Sequence, residues 1–446
     1  MLPDRPAPPL PSASAPRRNT PRRNAPSPFF RSLAMIPDGS LHHPALAPAG
    51  GTSPLFRPRA PGIPVLQAGF RPFFLAAGVQ AALMVPVWLV IWLGGIDLGL
   101  GYAPTLWHGH EMLFGFGSAA VAGFLLTAVP NWTGTPPVSG ARLLALTLLW
   151  LAARVAFGLG GLLPPLATAA VAILFLPVLG LFLAVPLLSA GKARNLIFLP
   201  LLALMTLAQG LVLAEMAGWG QLGRNGLYGA TFLLLTMIAI IGGRIIPLFT
   251  ENGLKSAGRP VTTASHPVLE KSAIALVMGA GLAWSIAPDS APAGGLALAA
   301  GILNAIRLSG WKGWKTLGVP LLWSLHLGFA WLVAGLLMLG LSCVSPALPA
   351  SAALHGLTAG CIGMMVLAVM SRAALGHSGR PLTAAPMTVL AYGLVTASAV
   401  LRCAGPITGL DWTLPVAGTL WSLGFACYLL VYAPICLKPR ADGRPG

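Results

Sequence analysis

The chain has 446 residues, of which 56% are hydrophobic and only 8% are charged, and its mean hydropathy is +0.80. Soluble globular proteins carry about a quarter charged residues, so this composition excludes a soluble domain and indicates an integral membrane protein. The formal net charge of +17 does not indicate nucleic-acid binding, because the basic residues lie in a terminal tail and in short loops, where they orient a chain in a lipid bilayer.

The composition changes sharply along the chain and predicts three parts. Residues 1–63 form a Pro/Arg-rich tail that we expect to be disordered, 64–437 a polytopic transmembrane domain, and 438–446 a short cytoplasmic tail. The N-terminal tail lacks the pattern of a cleavable signal peptide, and Met35 is an alternative start to Met1. The five cysteines show no CxxC spacing, so a disulfide framework is not expected.

The apolar runs are long and continuous, which predicts an all-α membrane protein rather than a barrel. Pro/Gly clusters and short polar stretches separate the runs. Loops that follow even-numbered segments are rich in Lys and Arg, which predicts that both termini lie in the cytoplasm. The twelve predicted segments are 72–95, 109–130, 141–162, 166–189, 195–217, 226–248, 270–288, 292–308, 318–341, 351–372, 383–403 and 412–436.

Histidines occur at both ends of these segments. His108 and His110 lie at the outer end of segment 2 and His355 at the outer end of segment 10, whereas His326 lies inside segment 9 and His377 in an inner loop. Histidine in an apolar span is costly unless it is paired, and it marks a functional site by default. Axial ligation of haem or coordination of copper is the functional interpretation; interfacial or structural histidines are the alternative.

The stretch "HGHE" places two histidines beside the carboxylate of Glu111. On a regular helix His108 and His110 point to nearly opposite sides, so one ligates a metal while the other forms hydrogen bonds or binds a second centre. Because His110 and His355 begin their segments at similar depth, we expect them to form the facing pair. Glu111 is a candidate partner of an imidazole or a proton donor near a metal.

An internal similarity suggests a unit of four helices used three times, with segments 2, 6 and 10 equivalent. Arg244 is followed by Gly-Arg-Pro-apolar-Thr at 258–262, and Arg372 by the same pattern at 379–383. Segment 6 has no outer histidine, and Tyr228 is the polar candidate there. Chance similarity of Gly-rich loops is the alternative. For Arg244 we expect a structural cation that holds an inner loop, and an anion contact is the second possibility; both arginines are also placed to snorkel to the interface.

Three blocks, "HGHEMLFGF", "GGRIIPLFTENG" and "VMSRAALGHSGRPL", resemble the NnrS family of bacterial membrane proteins over residues 64–436. The resemblance implies a cytoplasmic-membrane protein that binds haem and copper and is linked to denitrification and to resistance to nitric oxide and nitrosative stress. It implies cofactor ligands at His108, His110, His326 and His355, with His108, His326 and His377 as metal candidates.

A further analogy concerns the haem–copper oxidases and respiratory nitric oxide reductases, which also use twelve helices in three arcs of four. They hold haem between histidines of helices 2 and 10, a placement that His110 and His355 match. They also place metal ligands on helices 6 and 7, where this chain has no histidine. A binuclear centre of that kind is therefore not expected.

Three functions follow from these patterns. The first is a haem/copper protein that binds or consumes nitric oxide, with an electron donor that the sequence does not identify; whether it is an enzyme stays open. The second is a secondary transporter, for which twelve spans are common. The third is a haem or metal carrier without turnover.

Overall fold

The protein, described by a computed structural model, is a multi-pass membrane protein. The structure describes residues 62–95, 103–159, 161–191 and 193–444, so the predicted N-terminal tail lies outside it apart from two residues. Within these residues there is no strand, and twelve helices are long and apolar enough to cross a bilayer, which confirms the predicted all-α fold. The helices are α1 Phe70–Gly94, α2 Pro104–Thr133, α3 Ala141–Gly158, α4 Pro165–Ser189, α5 Ala193–Met216, α6 Gly223–Ser256, α7 Pro267–Ile286, α8 Ala291–Gly310, α9 Pro320–Ser342, α10 Ala350–His377, α11 Pro386–Thr408 and α12 Thr413–Leu437.

Two of these helices, α2 and α10, contain a π-helical segment at matching depth. In α2 it covers Glu111–Gly117 and begins directly after His110; in α10 it covers Gly356–Gly363 and begins directly after His355. π-Helical turns are rare and are frequently found at functional sites. The two helices are therefore equivalent at this depth, whereas α6 is α-helical from end to end.

Several predicted boundaries differ from the observed ones, three of them at the histidines or at the repeated motif. Helix α2 begins at Pro104, not at 109, because proline suits the first helical position, and its first turns therefore carry both histidines. Helix α6 continues through Pro247 to Ser256 instead of ending at 248. The inner-loop placement of His377 was wrong: His377 is the last residue of α10, which runs on past 372.

The repeated Gly-Arg-Pro motifs are matching helix C-caps. Gly258 after α6 and Gly379 after α10 both have a φ of +70°, a backbone conformation that favours glycine. The next residue donates its backbone N–H five residues back in both cases, from Arg259 to Leu254 and from Arg380 to Leu375. This is the Schellman arrangement, and the following proline prevents the helix from continuing. The sequence similarity thus has a structural cause.

Both described ends of the chain lie at the same end of the bundle. The buried Arg71 of α1 donates from Nη1 to the carbonyl oxygens of Cys436 (2.9 Å) and Lys438 (2.6 Å). Helix α12 packs against α1 and α11, and α5 to α9 pack in chain order. We call this the terminal end, and the opposite end, where α2 and α10 begin, the histidine end.

Candidate functional site

The carboxylate of Glu111 is the centre of a buried polar network at the histidine end. Only 2% of Glu111 is exposed. Arg154 of α3 donates from Nη1 to Oε1 at 2.6 Å, and Gln80 of α1 donates from Nε2 to Oε2 at 2.7 Å. A buried carboxylate is tolerable only with such partners. The ion pair leaves no net charge, so Glu111 has the surroundings of a structural anchor.

His110 uses both of its ring nitrogens within this network. Its Nδ1 lies 3.1 Å from Oε1 of Glu111, and its Nε2 lies 3.2 Å from Nε2 of Gln209. The Gln209 amide also donates to the carbonyl of Ala172, and an amide nitrogen only donates. Nε2 of His110 is therefore the acceptor and Nδ1–H the donor, which assigns a neutral imidazole. The ring is also stacked on Phe157, with centroids 3.8 Å apart.

The π-helical segment of α2 makes room for this network. Trp150 donates from Nε1 to the carbonyl of Gly115 at 3.2 Å, so the irregular backbone is satisfied by a side chain of α3. A Cβ on Gly115 would lie 2.5 Å from Nε2 of Gln80 and 2.9 Å from Nη1 of Arg154. Glycine at this position is what allows both donors to reach the carboxylate of Glu111.

A cavity of about 220 Å³ adjoins the ion pair between α1, α2 and α3. Its walls include Gln80, Glu111 and Arg154, together with the apolar side chains of Met84 and Val87. The volume suffices for several water molecules, each of which takes about 30 Å³ in the liquid. Because charged and polar groups line it, we expect this cavity to be hydrated.

His108 and His355 are placed differently from His110. The ring of His108 packs on Trp88, with centroids 4.5 Å apart, and its buried Nδ1 has no hydrogen-bond partner. Nδ1 of His355 lies 2.7 Å from the carbonyl oxygen of Ser351, one turn earlier in α10, so Nδ1 carries the proton and the Nε2 lone pair is left for a ligand. The two rings interact electrostatically with each other and with Arg402 of α11.

His326 and His377 lie towards the terminal end, away from this group. Nε2 of His326 lies 2.8 Å from Oγ1 of Thr250, and its Nδ1 has no partner. The ring of His377 lies 5.9 Å from that of Phe70, and its carbonyl oxygen accepts from Nη1 of Arg440 at 2.6 Å. The fold thus brings His108, His110 and His355 to one end of the bundle and leaves the other two elsewhere.

The remaining polar candidates each contact another part of the protein. Tyr228 packs edge-on against Trp284, with centroids 5.8 Å apart. Arg244 donates to Oδ1 of Asn195 at 3.1 Å and to the backbone carbonyl of Arg194 at 3.3 Å, both at the start of α5. The guanidinium of Arg372 lies over the ring of Phe249 at 4.2 Å. These contacts give all three a structural role in the bundle.

Sequence reasoning missed the polar partners of the HGHE stretch. Arg154 could have indicated these partners, because it is a charged residue inside an apolar span, and such a residue marks a functional site by default. The same signal applies to Arg307 of α8, which is 2% exposed. It donates to the side chains of Asn304 and Glu270 and to the carbonyl of Ala239, which ties α6, α7 and α8 together.

Comparison with known families identifies the chain. The family model described as NnrS protein matches residues 64–440, which covers all twelve membrane helices. No curated protein matches the chain. The match includes the HGHE stretch and the histidine of α10 that lie together at the histidine end. The chain therefore belongs to the NnrS family.

Proposed function

We propose that this protein binds haem at the histidine end through His108 and His355, and that it handles nitric oxide there. The observation that carries the proposal is the contrast among the three clustered histidines. His110 has both nitrogens occupied by Glu111 and Gln209, whereas His108 and His355 each keep a nitrogen without a protein partner. This revises the predicted pair, in which His110 faced His355.

The donor set fits haem better than copper. Haem iron needs one or two axial ligands, and two neutral imidazoles from facing helices supply them. In the described part of the chain, no group of three or more His, Cys, Asp or Glu side chains is placed to hold a metal ion. A copper ion at His108, His326 or His377 would therefore need other kinds of ligand besides that histidine. Copper stays a prediction from the family resemblance.

Neighbouring residues support such a site in specific ways. The carbonyl of Ser351 fixes the tautomer and the ring plane of His355, as backbone acceptors do for metal-binding histidines. Trp88 packs on His108 and limits its rotation. Arg402 is near enough to both rings to act on them electrostatically, and its positive charge would favour a ligand that carries carboxylates, as a haem does.

The bound group would supply an iron that takes a diatomic ligand in place of one of the two imidazoles, and the protein would supply the apolar surroundings. Nitric oxide is neutral and partitions into lipid, so it needs no polar path to this depth. We place the protein in the bacterial inner membrane with both termini in the cytoplasm. The support is the distribution of charge: the terminal end carries Lys255, Arg259, Lys312, Lys315 and Arg380. The role we propose is in nitrosative-stress resistance or denitrification.

An optical spectrum of detergent-purified protein, expressed with adequate haem supply, tests the proposal. We expect a Soret band in the wild type that shifts on addition of nitric oxide to the reduced protein. His108→Ala and His355→Ala should each lose the haem while remaining folded. His326→Ala is the matched control, because it removes a buried imidazole at the other end of the bundle and should keep the spectrum.

The variant His110→Ala decides between the two possible pairs. Loss of haem in His110→Ala with retention in His108→Ala would contradict our assignment and restore the pair predicted from the sequence. A colourless wild type would refute haem binding. Substrate flux in proteoliposomes would then test the transporter alternative.

A further inference from the structure

A second cavity lies where the three related helices α2, α6 and α10 meet. We call it the axial cavity; its volume is about 70 Å³, and every described side chain that lines it is apolar. Helix α2 contributes Gly117 and Ala120, α6 contributes Met237, and α10 contributes Ile362 and Met365. Helices at equivalent positions of the suggested four-helix unit thus line one apolar, partly open cavity.

The axial cavity begins directly below the two π-helical segments. Gly117 is the last residue of the segment in α2, and Ile362 lies in the segment of α10. His110 and His355 immediately precede these segments, so about 10 Å of helix separates the histidine end from the cavity at 1.5 Å per residue. From there the lining continues deeper to Met370. An occupant of the cavity is therefore within two helical turns of the candidate site.

The size and the chemistry of the walls restrict what binds there. At about 30 Å³ per water-sized molecule the cavity has room for about two, but apolar cavities without hydrogen-bonding groups stay dry and take up apolar ligands such as xenon. Because the cavity is partly open, the end of a lipid acyl chain is the competing occupant, although a whole chain exceeds this volume. The methionine side chains of the wall are flexible and polarisable, which suits transient passage of small molecules.

We infer that the axial cavity is a binding site for small apolar gas molecules, through which such a gas reaches the histidine end. Binding of an apolar gas stands on the cavity alone. Its identification with nitric oxide rests on the proposed function. The proposed path runs through the interior between α2, α6 and α10. The cavity beside Glu111 does not suit an apolar gas, because its charged wall would exclude apolar occupants.

Xenon is the probe for the binding site, because it is apolar and visible in an electron-density map. We expect xenon in the axial cavity of the pressurised wild type and its loss in Ala120→Leu, which fills the cavity with an apolar side chain. Ala128→Leu adds the same atoms to α2 outside the cavity and should keep the xenon. If Ala120→Leu does not fold, Val366→Leu narrows the cavity from α10. An empty cavity in the wild type, acyl-chain density within it, or equal xenon occupancy in Ala120→Leu would overturn the inference.

Nitric oxide binding to the haem-loaded protein after flash photolysis tests the path. We expect the association and dissociation rates to fall together by about tenfold in Ala120→Leu, because entry and exit then require the same side-chain rearrangement while the affinity is unchanged. An unchanged association rate would refute the path. If the protein binds no haem, the proposed function fails while the xenon result still decides whether the gas site exists.

Discussion

Replacement of Gly115 by alanine should destabilise the protein although alanine is the better helix former. The added Cβ would lie 2.5 Å from Nε2 of Gln80 and 2.9 Å from Nη1 of Arg154, so both side chains must move away. Both donate to the carboxylate of Glu111, at 2.7 and 2.6 Å. The ion pair that neutralises the buried charge is therefore weakened together with its supporting hydrogen bond.

The magnitude follows from two opposing effects. Glycine to alanine inside a helix stabilises by up to about 1 kcal/mol. Each hydrogen bond to a charged group contributes about 1.5–3 kcal/mol, and two are strained or lost. The net expectation is a free energy of unfolding lowered by about 2–4 kcal/mol, because relaxation of Gln80 recovers part of the loss.

Reversible unfolding in mixed micelles measures this free energy. Gly180→Ala is the matched control, because Gly180 lies inside α4 and no atom lies within 4 Å of its added Cβ. We expect Gly180→Ala to be neutral or slightly stabilising. If Gly115→Ala proves as stable as this control, the close approach of the two donors to the π-helical segment is not what holds Glu111.

Three further outcomes are expected. Gly243→Ala displaces the buried guanidinium of Arg307 and should lower the free energy of unfolding by about 2–4 kcal/mol in the same assay. A hydrogen bond from Arg440 holds the pKa of the Asp442 carboxyl below its usual range, so this contact is present above the ordinary pKa of about 3.9 and is lost as pH falls towards the lowered pKa. The protection of the C-terminal segment against hydrogen exchange, corrected for the pH dependence of the intrinsic exchange rate, should therefore not change between about pH 5 and 8. Met84→Cys, in a variant without the native cysteines, should react with a charged thiol reagent from the hydrated cavity, whereas the lipid-facing Leu83→Cys should not.

The helical architecture could be predicted because hydropathy and charge act over whole segments. A run of about 20 apolar residues crosses a bilayer whatever its neighbours are, and each of the twelve predicted segments is present. The π-helical segments could not be predicted, since they depend on how side chains from α1 and α3 pack against α2. The extension of α10 to His377 depends on the cap at Gly379, which the apolar pattern does not reveal.

Only part of the candidate site could be predicted from the sequence. Histidines in apolar segments are visible directly, and their clustering at one end followed from the alternation of the helices. The sequence did not show which imidazole is free, because the network around His110 and Glu111 is completed by side chains from three other helices, namely Gln80, Arg154 and Gln209. Gln209 is 99 residues away and Arg154 lies 43 residues from Glu111. We predicted the pair of His110 and His355 from their matching positions in α2 and α10. Matching positions do not show whether the ring nitrogens already have hydrogen-bond partners in the protein.

The polar groups at the histidine end differ in how their burial is compensated, and this difference is the support for the haem site that we propose. Glu111 and Arg154 neutralise each other, and both ring nitrogens of His110 have partners within the same network. The buried Nδ1 of His108 has no such compensation, and a buried unsatisfied nitrogen costs about 1–3 kcal/mol. Folding alone would favour an apolar residue at that position. A ligand that coordinates this nitrogen would offset the cost, and the anchored network next to it holds the first turns of α2, which carry His108, in place.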